Sequence, residues 1–200
     1  RVENIPGCFD TAAIDLGLGT KITFANPGPL LIDACDVGND VEETIDLTQF
    51  QREIYVGSAS FEYYPTFLDL NNGTNKIANP GTYLFKENSG PKKIFVKVNT
   101  AGFCPGSVVI DLKLKKTPMF ILPDYYFCPE GFVDIRPDLS HLDLIAFEWR
   151  NPAGEIVSTT KELKSVKTAG IFTLKVTARN NCSFTANMNV KVYEVPVITK

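Results

Sequence analysis

Three cysteines in this chain each lead a stretch of the same pattern, and such a repeat leaves few folds open. Cys8, Cys104 and Cys182 are each followed three places on by a hydroxyl: Thr11, Ser107 and Thr185. From four to ten places after each cysteine, every second residue is apolar. These are Ala12, Ile14, Leu16 and Leu18; Val108, Ile110, Leu112 and Leu114; Ala186, Met188, Val190 and Val192. A period of two with one apolar side predicts a half-buried strand, because successive side chains point to opposite faces. The same cysteine-led strand in three places predicts a module repeated along the chain. Prolines follow each copy (Pro27 and Pro29, Pro118, Pro196), so each copy reads as the last strand of its module.

The repeat divides the chain into three parts. Residues 1–29 read as the closing strand of a truncated preceding module. Residues 30–117 form a β-sandwich module, and residues 118–200 an immunoglobulin-like β-sandwich module. The opening Arg1-Val2-Glu3 falls inside a module, which reads as a piece excised or processed from something longer.

Within the second part, Thr44–Thr48 and Phe61–Tyr64 read as strands, and Thr48–Ile54 as a short helical turn. Asn71–Thr74 and Asn79-Pro80-Gly81 read as turns, where Asn and Gly tolerate positive φ. Ile94, Val96 and Val98 alternate inward, and Ala101-Gly102 folds that strand back into the Cys104 strand as a hairpin. In the third part the strand candidates are Asp124–Cys128, Phe132–Ile135, Ile145–Arg150, Glu155–Thr159 and Ile171–Ala178. Turns are expected at Asn151-Pro152-Ala153-Gly154 and at Asn180-Asn181. No helix of three turns is expected. Short strands with frequent turns predict an all-β chain of tandem sandwiches.

The cysteines carry most of the remaining information. None forms a Cys-x-x-Cys pair, and His141 stands at metal spacing from none of them, which argues against zinc. Cysteines that bound modules favour disulfides and an oxidising location, with free buried thiols as the alternative. One pair per module predicts Cys35–Cys104 and Cys128–Cys182, each joining a first strand to a last one. Cys8 then has no partner within the chain, since its mate would open the truncated module.

Trp149, between Cys128 and Cys182, suggests an immunoglobulin-like sandwich with a core Trp on a middle strand. Ile145, Phe147 and Trp149 are expected on one buried face. Two features depart from a true immunoglobulin domain. Cys182 follows the Ile171 strand rather than lying within it, and Phe172 lacks the hydroxyl of a tyrosine corner.

Several residue groups resemble the tandem modules of large surface adhesins of Bacteroidota, the gliding-adhesin-like proteins exported by the type IX secretion system. They are Cys35-Asp36 with its acidic loop, Ile45-Asp46-Leu47-Thr48, Tyr63-Tyr64, Asn72-Gly73-Thr74-Asn75, Ile77-Ala78-Asn79-Pro80, Ile94–Val98 and Cys104. In the third part they are Leu122–Cys128, Trp149, the Gly170 strand and Cys182. The resemblance implies export and surface display, and it names no ligand.

Candidate chemistry is sparse. Ser140, His141 and Asp143 supply triad residue types, but their adjacency in sequence suits a solvated turn better than a triad. No Gly-rich phosphate loop follows a strand. Asp33, Asp36, Asp40, Glu42 and Glu43 are candidates to bind calcium through hard oxygen ligands. Gly38 and Val41 depart from the Asp-x-Asp-x-Asp-Gly pattern of related modules, and the alternative is a solvated acidic loop. Phe61, Tyr63, Tyr64, Tyr125, Tyr126 and Phe127 are candidates for a glycan-stacking platform, with core packing as the alternative. Lys93, Lys97, Lys113 and Lys115 fit the outer face of one hairpin, solvated or facing acidic polysaccharide. Asp10-Thr11-Ala12 resembles a short O-glycosylation triplet of that phylum.

A net charge of -3 gives no clustered basic excess for nucleic acid. No run of about 18 apolar residues spans a membrane. The expectation is a non-catalytic stalk or adhesion segment of an exported surface protein, with no cofactor apart from calcium. Its partners would be surface polysaccharide, neighbouring modules or secretion-machinery proteins. The alternatives are a carbohydrate-binding module of a secreted enzyme and a cargo segment of the secretion machinery.

Overall fold

The computed structural model describes residues 2–5, 8–10, 19–90 and 92–194. The strand expected from Ala12 to Leu18, the triplet at Thr11 and Ala12, and the side chain of Cys8 lie outside the described residues.

Along the chain, β1 (Val2–Ile5) and β2 (Cys8–Asp10) pair antiparallel. Next come β3 (Thr20–Lys21), β4 (Leu30–Asp36) and β5 (Glu42–Ile45). A 3-10 turn at Leu47–Phe50 runs into α1 (Gln51–Ile54). Then follow β6 (Ser60–Tyr64), α2 (Phe67–Asn72), β7 (Tyr83–Lys86), β8 (Lys93–Asn99), β9 (Phe103–Cys104) and β10 (Gly106–Lys116). The remainder supplies β11 (Tyr125–Phe127), β12 (Val133–Ile135), β13 (Leu144–Arg150) and β14 (Ile156–Ser158). It ends with β15 (Leu163–Val166), β16 (Gly170–Ala178) and β17 (Ser183–Val192). The chain is all-β and built of immunoglobulin-like sandwiches, as the alternating strands predict.

It divides into two compact units. The first holds the residues up to Leu31, Asp46–Tyr83 and Lys93–Asp111. The second holds Ile32–Ile45, Leu84–Lys92 and the chain from Leu112 onward. Strands β4 and β10 each begin in the first unit and finish in the second.

In the first unit β8 is the middle strand. It pairs with β6 (Tyr63 opposite Val96) and with β10 (Val108 opposite Val96), the expected hairpin. Ile94, Val96, Val98, Val108 and Ile110 are buried, and the residues between them face outward. Tyr63 is buried with them, and its hydroxyl accepts from the Gln51 side chain at 3.1 Å. Burial holds its hydroxyl pKa above the ordinary tyrosine range.

Helix α2, which the sequence does not predict, runs into the turn expected at Asn71–Thr74. Thr66 caps it by accepting from Asp69 N at 3.0 Å, and Gly73 ends it at φ +66°. Thr at the cap, a carboxylate three residues on, and Gly just past the end are legible helix limits. The short length hid them. Phe67 packs against Phe95 with ring centroids 5.8 Å apart.

In the second unit a five-stranded sheet, ordered β11-β17-β16-β13-β14, faces the β12–β15 pair. Trp149, Phe172, Leu174, Val176, Met188 and Val190 from the large sheet meet Ile135, Leu163 and Val166 from the small one. Two sheets closing over one core make the sandwich. Trp149 is wholly buried, and its indole N–H donates to Thr160 O at 3.1 Å.

Three local expectations are corrected. Ile145 does not share the Trp149 face: it is 52% exposed. Leu144 pairs with Ala178 and Ala146 with Thr177, so Ile145 is the extra residue of a bulge and is turned outward. Val192 lies at the end of β17 and is exposed rather than buried. Strand β15 is not among the expected strands, because it breaks the period of two: Ser165 sits at φ +55°, so Leu163 and Val166 both point inward.

The two large sheets are ordered alike: β4-β10-β8-β6 in one, β11-β17-β16-β13 in the other. The small pairs β5–β7 and β12–β15 also correspond. Cys35 stands near the end of β4 and Cys128 directly after β11; Cys104 ends β9, two residues before β10, and Cys182 stands directly before β17.

Candidate functional site: a fastened segment at Lys115–Met119

The site begins with a turn. Asp36, almost buried, accepts from the backbone N–H groups of Asp40 (3.1 Å) and Val41 (2.8 Å). That closes the loop tightly and holds Asn39 at φ +53°, a conformation Asn tolerates better than most residues. The Asn39 amide then faces Thr117. Its Nδ2 donates to Thr117 O at 2.9 Å, and its Oδ1 accepts from Thr117 N at 2.8 Å. One side chain thus satisfies both backbone groups of a buried residue, as a neighbouring strand would.

A second amide holds the residue before. The β16–β17 turn places Asn181 at φ +69°, and Asn180 Oδ1 accepts from Cys182 N at 3.0 Å. Asn180 Nδ2 donates to Lys116 O at 2.8 Å. Asp33 pairs with Lys115 at 2.9 Å. Across the same region Cys35 and Cys182 form a disulfide, Cα–Cα 5.6 Å, with Cys182 fully buried. The segment is held by two side-chain amides and an ion pair, and the disulfide joins the strands that carry those partners.

This overturns the predicted pairing. Cys35 bonds Cys182, not Cys104, and Cys128 does not bond Cys182. Cys104 and Cys128 are free and exposed. The sandwiches therefore do not each carry one disulfide. The reason is strand direction. β11 runs parallel to β17 with Phe127 opposite Val192, so Cys128 lies at the far end of β17 from Cys182. About ten residues of strand, roughly 33 Å, separate the ends, and a disulfide needs Cα atoms within about 7 Å. Similarly, Asp33 beside Cys35 pairs with Lys115, at the end of β10 away from Cys104.

The acidic loop is occupied by its own chain. Glu42 pairs with Lys86 at 2.7 Å, Asp33 with Lys115, and Asp36 with backbone N–H groups. Asp40 accepts from Glu42 N at 3.1 Å, and Glu43 from Val37 N at 2.9 Å. Among the described residues no three His, Cys, Asp or Glu side chains come together as a metal site. Asp33, Asp36, Asp40 and Glu42 are thus near in sequence without converging.

The triad residue types are also apart in their bonding. Ser140 donates to Asp138 at 2.7 Å, which holds that carboxyl below its usual range. Asp143 accepts from Arg179 at 3.0 Å. His141, Asp143, Arg179, Asn39, Thr117 and Met119 line a cleft of about 420 Å³ beside the fastened segment. Thr117 Oγ1, buried there, has no hydrogen-bond partner among the described residues.

Of the aromatic candidates, Tyr63, Tyr64 and Phe127 are core, and Phe61 and Tyr125 are half-buried. Tyr126 is 42% exposed and stacks on Tyr193, 55% exposed, with centroids 5.1 Å apart. Lys191 lies 5.6 Å from the Tyr126 ring centre and pairs with Asp124 at 2.6 Å. That pair holds the Asp124 carboxyl below its ordinary range and raises Lys191. Of the candidate lysines, Lys93 faces Asp111 at 3.9 Å and Lys115 is taken by Asp33, so neither is an unpaired cation.

Sequence reasoning missed Asn39 and Asn180. Each reads as an ordinary turn residue, and nothing local marks Thr117 or Lys116 as its partner. Asn39→Ala should destabilise the second unit by roughly 1–2 kcal/mol, because it strands a buried N–H and a buried carbonyl. Urea melts of the oxidised protein followed by Trp149 fluorescence, which reports on that unit alone, would read the loss.

Residues 31–118 match a family model described as the Flavobacterium inter-domain disulphide bond domain. The match contains Cys35, while Cys182 lies outside it, so the bond leaves the matched segment. Among curated proteins none matches the chain. Among solved structures it is similar to Dpr11 IG1 bound to DIP-gamma, at 8% identity over 86% of this chain and 98% of that one, TM-score 0.33. It is also similar to titin domains I67–I69, at 10% identity over 88% and 64%, TM-score 0.32. These likenesses are loose, and the all-β reading rests on the strands themselves.

Proposed function

We propose that the chain is a non-catalytic stalk and adhesion segment of an exported surface protein. In this reading residues 30–117 and 118–200 are successive modules, and Lys115–Met119 is a joint fastened so that it cannot hinge. The observation that carries it is the Cys35–Cys182 bond with the Asn39 and Asn180 clamps around one short connecting segment. A disulfide suits export through an oxidising compartment. The matched family description, an inter-domain disulphide bond, fits such a joint, and the proposed surface display, type IX export and gliding-associated role rest on the resemblance to Bacteroidota adhesins.

The test is attachment under shear. Cells displaying the protein would be challenged before and after a brief wash with a membrane-impermeant reductant, with surface labelling to check that display is unchanged. Detachment at lower shear after the wash is expected. Equal attachment would remove the stalk reading, as would turnover of a glycoside, ester or peptide abolished by one side-chain change.

A second reading, carbohydrate binding, is favoured by the exposed Tyr126–Tyr193 stack with Lys191 and Asp124 beside it. Aromatic faces of that kind suit the apolar side of a sugar ring. A glycan array comparing the native chain with Tyr126→Ala separates the two readings: binding lost in the variant supports this one.

A further inference from the structure

We infer that Cys104 and Cys128 are half-bridges of the same kind as Cys35–Cys182. Cys104 takes the first-strand cysteine of a preceding module of the same polypeptide, and Cys128 the last-strand cysteine of a following one.

The inference is built on position, not on two free thiols alone. The sheets are ordered alike, so Cys128 occupies in its sandwich the place of Cys35, and Cys104 the place of Cys182. The Cys35–Cys182 bond joins a first-strand cysteine to a last-strand cysteine further along the chain. Applied at the other two positions, the same rule points Cys104 backward and Cys128 forward. It cannot pair them with each other, because Cys104 precedes Cys128 and is a last-strand cysteine.

The surroundings of Cys104 repeat those of Cys182. Lys115 follows Cys104 by eleven places, and its carbonyl lies 3.8 Å from Cys182 Sγ. Gly19 follows Cys8 by the same eleven places, and it lies so close to Cys104 Sγ that a Cβ there would collide with the sulfur. β3, which starts beside Gly19, runs parallel to β9, which contains Cys104. Gly19 and Lys115, each eleven places after a repeat cysteine, therefore lie against Cys104 and Cys182 respectively. At Cys182 the sulfur is buried and bonded; at Cys104 it is exposed.

Closing each bridge requires an acceptor. The thiolate of one cysteine attacks the disulfide of an oxidising thiol–disulfide exchange enzyme, and the second cysteine resolves the mixed disulfide. Two protons leave the thiols, and two electrons reduce the enzyme's disulfide to its dithiol. Repeated along an array, the bond would lock each module to the next by its ends.

The inference rests on the joint reading only through the Cys35–Cys182 bond. Non-reducing peptide maps of the exported protein test both separately. Cys104 is expected joined to a cysteine on the opening strand of another module, and Cys128 to one directly before a closing strand. Reduction should leave the mass on a denaturing gel at that of one chain. A Cys104–Cys8 bond, a Cys104–Cys128 bond, a reducible dimer, or either residue recovered as a thiol would overturn the inference. Absence of Cys35–Cys182 from the same maps would remove the joint reading instead.

The isolated 200-residue chain gives a second readout. Oxidised glutathione should exchange with the thiols of Cys104 and Cys128 without denaturant, adding one glutathione at each and releasing one reduced glutathione each time, while Cys35 and Cys182, already bonded to each other, take none. Inert Cys104 and Cys128 would count against the inference, since half-bridges must be reachable.

Discussion

Replacing Cys35 and Cys182 together by serine should destabilise the second unit by roughly 3 to 5 kcal/mol. The bond closes a loop with a sequence separation of 147. In the chain-entropy model, closing a loop of that length removes about 5 kcal/mol of unfolded-state freedom. Native strain and residual structure in the unfolded chain commonly reduce the measured effect, hence the lower bound. Urea unfolding followed by Trp149 fluorescence would measure it, since the single Trp lies in the same unit as both cysteines. Cys104→Ser and Cys128→Ser serve as controls. Both residues are exposed and free in this chain, so each should change stability by less than about 0.5 kcal/mol. A larger loss from the controls than from the Cys35/Cys182 double variant would show that the pairing is wrong.

Trp149→Ala should cost the same unit roughly 3 to 5 kcal/mol. The indole is wholly buried between the two sheets, against side chains from β12, β15, β16 and β17. Truncation removes its apolar burial and leaves a cavity that rigid strands on both sides close poorly. It also leaves Thr160 O without its indole donor. Trp149→Phe should recover part of the loss by filling most of the cavity, though it cannot restore that hydrogen bond. Far-UV circular dichroism melts suit these variants, because the fluorophore is gone. A loss below about 1 kcal/mol for Trp149→Ala would place the indole outside the core.

Neither expected loss is tied to a reactive group. Both concern how the sandwich and its fastening resist unfolding, the property that a surface stalk would depend on.

What the sequence determined by itself is the part governed by short-range geometry. A period of two shows which side of β8, β10 and β16 is buried, because the pleat enforces alternation residue by residue. Asn-Pro-Ala-Gly at 151–154 and Asn180-Asn181 mark turns through their own backbone preferences. Trp149 reads as core because so large an apolar group on a middle strand has nowhere else to go. Where a single residue leaves the period, the reading slips: Ile145 in its bulge, Ser165 at positive φ, and the capped helix α2 too short to show a period of its own.

Only the tertiary structure decided the rest. Cys35, Cys104, Cys128 and Cys182 allow three connectivities, and assigning one pair to each module favours the wrong one. Distance through space chose instead: the parallel pairing of β11 with β17 carries the first-strand cysteine to the far end of the sheet from the last-strand one. Asn39 and Asn180 are likewise ordinary turn residues until folding brings Thr117 and Lys116 to them across long stretches of sequence. Periodicity is written in neighbouring residues; a bond or a clamp between distant ones is set by where the strands end.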